Sequence, residues 1–315
     1  MERNLGPELL APDQDGVARA AALLGQGRLV AVPTETVYGL MARADRDESV
    51  AAIYRAKGRP SFNPLIVHVA DLAAAQELAV LDERALCLAT AFWPGALTMV
   101  LPLREGAAVA PAVTAGLPTV ALRCPAHPLM RAVIADSGLA LAGPSANRSG
   151  GVSPTQAEHV VASLGANVDA VVDGGACEAG LESTIVALRE DGRWQILRPG
   201  PISREAIRQV LGTENDAVTS QAIEAPGQLA SHYAPGKPVR LNAASADADE
   251  FHIGFGAIAG DANLSASGDL VEAASRLYAL LHEGAAASQL RIAVAPIPIE
   301  GVGAAINDRL NRAAA

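Results

Sequence analysis

Lysine is nearly absent from this chain: Lys57 and Lys237 are the only two, and arginine supplies the rest of the positive charge. Arginine bias alone can reflect genome composition and carries no functional weight, so a lysine that resists the bias is informative. Aromatic residues make up 3% of the sequence while hydrophobic residues make up 50%. Cores must therefore be built from Ala, Val, Leu and Ile, and disorder is excluded. The three cysteines, Cys87, Cys124 and Cys177, are far apart and form no CxxC pair, which excludes a zinc ribbon and a disulfide framework. They read as buried, reduced thiols. The N-terminus has no basic flank leading into an apolar core, so no secretory signal is expected. The uncharged stretch at residues 106–122 contains Pro111 and Pro118 and falls short of the roughly 20 apolar residues a membrane helix needs. A cytoplasmic protein with no membrane contact is the expectation.

Excess positive charge is also missing. The net charge is −10, and residues 1–212 carry 18 basic against 22 acidic side chains, residues 213–315 6 against 12. Duplex or tRNA binding relies on neutralising many phosphates, so a broad nucleic-acid face is not expected and only a local basic patch remains. Several catalytic signatures are absent too. Gly236-Lys237 is followed by Pro238, which spoils a phosphate loop, and Gly301-x-Gly303 is a broken dinucleotide fingerprint. No Gly-x-Ser-x-Gly elbow and no His-Glu-x-x-His occur. Covalent and zinc-dependent catalysis lack a signal.

At 315 residues the length fits roughly two domains. Helical spacing over 15–24 precedes a buried strand at 29–32 that ends at Pro33 and delivers Thr34-Glu35-Thr36. A helix over 47–56 places Lys57 and Arg59 at its exit, ahead of a strand at 65–69. Helices near 71–78, 82–92, 127–135, 155–164 and 203–211 alternate with strands at 96–101, 119–123, 139–142, 169–173, 183–188 and 194–198. The alternation lacks a strict βαβ rhythm, which predicts an α/β fold with an open, twisted sheet of mixed direction. Residues 213–238 dissolve into Thr, Asn, Ser, Gln, Gly and Pro, too long for an ordinary loop and so a functional loop or a linker. Strand, helix, strand, helix over 251–257, 270–281, 291–296 and 302–312 then predict a second, smaller α/β domain.

Polar clusters stand out against this apolar background. Tyr54-Arg55-Ala56-Lys57-Gly58-Arg59-Pro60-Ser61 concentrates groups that make charge-assisted hydrogen bonds to phosphate. The competing reading is a solvated helix end with cations at the negative pole of its dipole. Gly143-Pro144-Ser145-Ala146-Asn147 follows a strand end, a common ligand position, and is equally an ordinary turn. His68, alone on an apolar strand, reads as a core histidine. His127 reads as a helix cap, His159 as a surface residue, and Ser183-Thr184 as a strand edge.

Taken in order, Pro33-Thr34-Glu35-Thr36-Val37-Tyr38-Gly39-Leu40, Lys57-Gly58-Arg59-Pro60, Asn63-Pro64-Leu65-Ile66-Val67-His68, Trp93-Pro94-Gly95-Ala96-Leu97-Thr98, Thr119-Val120-Ala121-Leu122-Arg123, Pro144-Ser145-Ala146-Asn147 and Leu197-Arg198-Pro199-Gly200 carry a family resemblance. The chain resembles the threonylcarbamoyl-AMP synthases, in the long Sua5 form that adds a C-terminal domain to a YrdC-like catalytic domain. The resemblance implies a YrdC-like sheet in residues 1–212, a linker or lid at 213–238 and a Rossmann-like Sua5 C-terminal domain at 239–315. It implies a nucleotidyltransferase that condenses L-threonine, bicarbonate or CO2, and ATP into threonylcarbamoyl-adenylate and pyrophosphate, with a tRNA threonylcarbamoyl transferase as downstream partner. Lys57, Arg59, Ser61, Thr119, Ser145, Asn147, Ser153 and Arg198 would contact ATP, whose phosphates would carry Mg2+ without protein ligands. Thr34, His68, Arg123, Gly143 and Ser183 would surround threonine. The Ser231-His232-Tyr233-Ala234-Pro235 signature would bring His232 and Tyr233 to the nucleotide side, the C-terminal domain anchoring this lid without adding catalytic groups. Gly143 stands where alanine is more usual, which implies a slightly looser threonine pocket. Two other classes compete: an RNA-binding or ribosome-maturation factor without turnover, against which the net charge counts, and a carbamoyl transferase, whose zinc-finger cysteines are missing.

Overall fold

A computed structural model describes residues 6–212, 223–228 and 232–315. In chain order the elements are β1 (Glu8–Leu10), α1 (Gln14–Gly25), β2 (Val30–Val32), β3 (Gly39–Arg43), α2 (Asp47–Lys57), β4 (Ile66–His68), α3 (Leu72–Leu78), α4 (Glu83–Phe92), β5 (Leu97–Pro102), α5 (Pro111–Thr114), β6 (Thr119–Arg123), α6 (Pro128–Ser137) and β7 (Leu141–Ala142). They continue as α7 (Ala157–Leu164), β8 (Ala170–Val172), β9 (Thr184–Leu188), β10 (Trp194–Arg198), α8 (Arg204–Leu211), β11 (Val239–Arg240), β12 (Glu250–Gly254), β13 (Ala262–Asn263), α9 (Leu270–Ala286), β14 (Arg291–Val294) and α10 (Gly303–Ala313).

Ten strands form one mixed sheet in the order β1-β8-β2-β3-β7-β4-β6-β5-β9-β10. Parallel pairs such as β4 with β6 and β5 with β9 adjoin antiparallel pairs such as β2 with β3 and β5 with β6. The open mixed sheet expected from the sequence is what forms. Side chains alternate across each strand, and the alternation divides the core. Ala31, Leu40, Ala42, Val67, Met99, Leu122 and Val186 face one apolar cluster that includes Ile53 of α2 and Leu88 of α4. On the opposite face, Val30, Val32, Met41 and Leu141 meet Leu24 of α1 and Ile134 of α6. These two helices cover only that half of the face. Over the other half Ile66, Ala121, Ile185 and Ala187 cluster with Ala225, which lies outside any helix or strand. Among the described residues no helix covers this strip of the sheet, and the candidate site is there.

Helix ends follow local rules. Asp13 accepts a hydrogen bond from Gly16 N at 2.9 Å to start α1, and Ser203 accepts from Ala206 N at 3.1 Å to start α8. His127 caps α6 through Nδ1, which accepts from Leu129 N. Strand β3 was not anticipated: the apolar run from Val37 to Ala42 pairs back onto β2, Val32 opposite Gly39. Two other expectations need correction. Cys124 and Cys177 are buried, but Cys87 is exposed, because it falls outside the Ala85, Leu88, Ala89 stripe that α4 buries. His159 is half-buried rather than on the surface, since α9 packs there and its His282 stacks on it with ring centres 3.9 Å apart.

The second sheet, β11-β14-β12-β13, is all parallel. Phe251, Ile253, Ile292 and Val294 pack under Leu277 and Leu281 of α9 and Ile306 and Leu310 of α10, each such side chain contributing about 1.5–3 kcal/mol of burial. The same cluster takes in Val37, Val152 and Leu181 of the larger unit, and Tyr233. Approach is close: a Cβ on Gly180, whose φ is 67°, would lie 2.4 Å from the Cα of Ser275 on α9. Only glycine fits there.

Candidate active site

The parallel pairing of β4 with β6 sets His68 opposite Arg123. Both side chains, with Ile66 two residues earlier, line the cleft over the uncovered strip. Thr119 lies on the same face of β6 as Arg123, four residues away and so about 13 Å along the strand. The loop after β7 is stitched in by backbone bonds: Gly143 N donates to Ile66 O, Leu40 N to Pro144 O and Ala146 N to Tyr38 O, at 2.8–2.9 Å. Thr34 turns the chain between β2 and β3, its Oγ1 donating to Val37 O at 2.7 Å and accepting from Thr36 N and Val37 N.

Ten of the expected residues line this cleft: Thr34, Arg59, His68, Arg123, Gly143, Ser145, Ser183, Arg198, His232 and Tyr233. Their neighbours there include Thr36, Glu182, Pro226 and Gly227. The cleft has a volume of about 530 Å³, part of it open to solvent. Residues 226–227 and 232–233 form part of its wall. Residues 213–222 and 229–231 of the expected linker, Ser231 among them, lie outside the described residues.

Each cation has a distinct setting. Arg59 is 7% exposed; its Nε and Nη2 donate to Asn63 O, Asn63 Oδ1 and Pro64 O. The guanidinium also interacts with the Tyr54 hydroxyl. Burial holds its pKa down to about 10, still a cation at neutral pH. Arg198 clamps Ser183, donating to its carbonyl from Nε and Nη2 and to its Oγ at 3.1 Å. Arg123 donates from Nη1 to Thr36 Oγ1 at 2.8 Å, from Nη2 to Glu35 Oε1 at 2.6 Å and from Nε to Gly95 O. Three of its five N–H groups are so engaged, leaving two for a ligand.

Lys57, which the resemblance would place on ATP, is not the solvated helix end of the competing reading. It is 4% exposed and does not line the cleft. Its ammonium donates to Ser145 O at 2.5 Å, to Asn147 O and, at 3.5 Å, to Asn147 Oδ1. Burial, then the Arg59 charge, push its pKa well down. Here the lysine fixes the 143–147 loop. The Asn147 amide also serves the loop, donating to Arg148 O and Gly151 O at 2.8 Å. Ser153 is buried against Glu182, and Ser61 is exposed.

The histidines are neutral. Burial lowers both His68 and His232 to about 3. His68 Nδ1 lies 3.4 Å from Leu141 O, which fits Nδ1–H and leaves Nε2 as an acceptor. His232 Nδ1 is buried without a partner among the described residues. Buried polar atoms are normally paired, so this orphan beside the cleft is a ready ligand contact.

Gly143 corrects one expectation. A Cβ there would lie 2.4 Å from Met41 Sδ and 2.8 Å from Leu40 O, so Met41 already fills the space that alanine would take. The pocket wall is not loosened.

Sequence reasoning quoted Glu35 and Thr36 without assigning them and missed Glu182, Gly227 and Arg309. The signal for Glu182 was a carboxylate directly before Ser183 in an apolar stretch. For Arg309 there was none.

Comparison with known proteins matches this arrangement. A Sua5/YciO/YrdC family model, described as "Telomere recombination", matches residues 22–200, and a "Threonylcarbamoyl-AMP synthase, C-terminal domain" model matches residues 202–315. The threonylcarbamoyl-AMP synthase of Bacillus subtilis is 47% identical over 237 residues, covering 74% of this chain and 68% of that one. The protein of the same name from Schizosaccharomyces pombe is 40% identical over 256 residues, covering 71% and 62%. The crystal structure of Pyrococcus abyssi Sua5 complexed with L-threonine superposes with a TM-score of 0.88 at 34% identity, covering 98% of this chain and 97% of that one. With both family models matched in order and both units superposing on one relative, this chain belongs to the Sua5/YrdC family of threonylcarbamoyl-AMP synthases, in the form that carries the C-terminal domain.

Proposed function

We propose that this protein is an L-threonylcarbamoyladenylate synthase: it condenses L-threonine, bicarbonate or CO2, and ATP to threonylcarbamoyl-AMP and pyrophosphate, with water released where bicarbonate supplies the carbon. One observation carries the reading. Arg59, Arg123 and Arg198, each 7% exposed or less, come from three separate motifs to one cleft that also holds two neutral histidines. Such a site suits an anionic nucleotide and an amino acid together.

The nucleophile belongs to the substrate. Threonine's amine takes up CO2, and a carbamate oxygen attacks the α-phosphorus of ATP while pyrophosphate leaves. The chain therefore supplies alignment and charge stabilisation, with no covalent step. In this reading Arg59 and Arg198 meet the phosphates, and Lys57 with Asn147 holds the loop presenting Ser145. Ser153, Ser61 and Thr119 bound the nucleotide end. The two open N–H groups of Arg123 take the threonine carboxylate, His68 Nε2 accepts from its amine or hydroxyl, and Thr34, Gly143 and Ser183 close its pocket. Mg2+ would ride on the ATP phosphates and offset their charge; no group of three His, Cys, Asp or Glu side chains poised to hold a metal occurs among the described residues.

Residues 1–212 act here as the catalytic unit, 213–238 as the lid and 239–315 as its anchor. The adenylate then passes to a tRNA threonylcarbamoyl transferase in the cytoplasm. No helix among the described residues is long and apolar enough to cross a membrane. The direct test is pyrophosphate release with threonine, bicarbonate and ATP, each omitted in turn. Dependence on all three supports the reading, and release that ignores threonine overturns it.

A further inference from the structure

Two helices of the smaller unit converge on one carboxylate of the larger. Glu182, 6% exposed, lines the cleft just ahead of β9. Its Oε1 accepts from Ser153 Oγ at 2.5 Å, and its Oε2 from Tyr278 of α9 at 2.9 Å and from Arg309 Nε of α10 at 2.8 Å. Burial alone would raise its pKa, but the charges of Arg309 and Arg198 outweigh this and pull it to about 2. The carboxylate is thus anionic and shared across both units.

Arg309 does more than neutralise it. With no solvent exposure, it donates from Nη2 to Pro199 O at 2.9 Å and from Nη1 to Asp308 Oδ2 at 2.6 Å. Its guanidinium carbon sits 5.3 Å from the centre of the Tyr233 ring, within cation–π range. Tyr233 has a φ of 65°, a backbone conformation rare for a bulky residue, which persists only where the surroundings impose it. They do so from both sides: Ala234 N donates to Gly150 O of the larger unit, and His232 N to Arg312 O of α10.

A purely cementing arginine could sit anywhere in the interface. This one touches a carboxylate and a ring that both line the cleft. We propose that Arg309 is a positioning residue for the adenylation: from the C-terminal unit it fixes Glu182, and through it Ser153, while holding Tyr233 over the cleft, so that closure of the site depends on α10. The proposal deepens the synthase reading and rests on it.

The test compares Arg309→Lys, Arg309→Gln and the double variant Glu182→Gln with Arg309→Gln. Arg309→Gln alone leaves a buried carboxylate without its counter-charge and endangers the fold. The doubly neutral pair removes that hazard, and its thermal melting establishes that it is folded. Three quantities are read: KM for ATP, threonine affinity by calorimetry, and the fraction of pyrophosphate released without recoverable threonylcarbamoyl-AMP. The folded double variant is expected to raise KM for ATP at least about tenfold and to lose more adenylate to water, with threonine affinity within about twofold of wild type. Arg309→Lys, which keeps the charge but not the fork, falls between. A folded double variant with wild-type KM for ATP and wild-type adenylate recovery overturns the proposal. If wild-type protein shows no threonine-dependent release, the synthase reading fails instead. Calorimetric ATP affinity in wild type and double variant then still decides whether Arg309 positions the nucleotide site: equal affinities overturn the positioning role, weaker binding in the variant supports it.

Discussion

The Lys57 ammonium lies 2.5 Å from the backbone carbonyl oxygen of Ser145, 88 positions further along the chain. A side chain from the end of α2 thereby decides where the loop after β7 sits. Lys57→Met keeps the aliphatic stem and removes the donors, leaving the carbonyls of Ser145 and Asn147 short of partners. It should destabilise by about 1–3 kcal/mol and reduce kcat/KM for ATP at least about tenfold, or about 1.4 kcal/mol. Urea denaturation and pyrophosphate release measure the two, and wild-type values in both would remove Lys57 from the site.

The Arg123 and Glu35 pair gives a prediction with a pH signature. Burial by itself raises the Glu35 pKa, but the Arg123 charge and hydrogen bond outweigh it and the net shift is downward. A depressed carboxylate contributes stability above the unfolded pKa and loses it as pH falls through the folded pKa. Arg123→Ala strands the carboxylate, costing about 3–5 kcal/mol at neutral pH, and weakens threonine binding at least about tenfold. Because the stranded, buried Glu35 takes a proton more readily, the gap in stability from wild type should narrow as pH falls from neutral into and through the ordinary carboxylate range. Melting curves across pH check this; a gap that widens in acid contradicts the pairing.

His68 and His232 set the acid limb of stability. Both are held near 3 by burial, against about 6.5 in an unfolded chain. As pH falls below the unfolded value, the unfolded state binds protons that the folded state refuses. Each histidine should then cost on the order of 1 kcal/mol per pH unit between the two values. Chemical denaturation at pH 7 and pH 5 measures the slope, and His68→Gln should make it shallower by about one proton's worth. An unchanged slope would show that His68 titrates normally.

Met41 and Gly143 should prove coupled. Gly143→Ala drives a Cβ against Met41 Sδ and Leu40 O, an overpacking that costs about 1–3 kcal/mol. Adding Met41→Ala frees the sulfur side but not the backbone oxygen, so the double variant should be more stable than the sum of the singles by about 0.5–3 kcal/mol. Strict additivity in a double-mutant cycle would place the two residues out of contact.

Much of the fold was legible because it depends on local periodicity. The strands at Thr119–Arg123 and Trp194–Arg198 and the Ser203 cap are written in alternation and in capping chemistry, which need no distant partner. Strand β3 escaped because its five residues, Gly39–Arg43, form a short apolar run that becomes a strand only by pairing with β2 on one side and β7 on the other. His68 looked like an ordinary core histidine because a strand pattern gives no sign of which face a helix will cover. Burial of His159 depended on α9, more than a hundred residues away, packing against it.

By itself the sequence determined most of the helices and longer strands, the mixed sheet and the set of polar motifs, since hydrophobic period, caps and turn residues act over a few positions. It also named the arginines and histidines of the cleft. Only the tertiary structure decided which groups those residues meet: Lys57 turned onto the 143–147 loop, Arg123 paired with Glu35, and Arg309 reached Glu182 and Tyr233 from the far end of the chain. Those pairings follow from strand register and from helix packing between units, which bring together side chains whose separation along the chain carries no information about their distance in space.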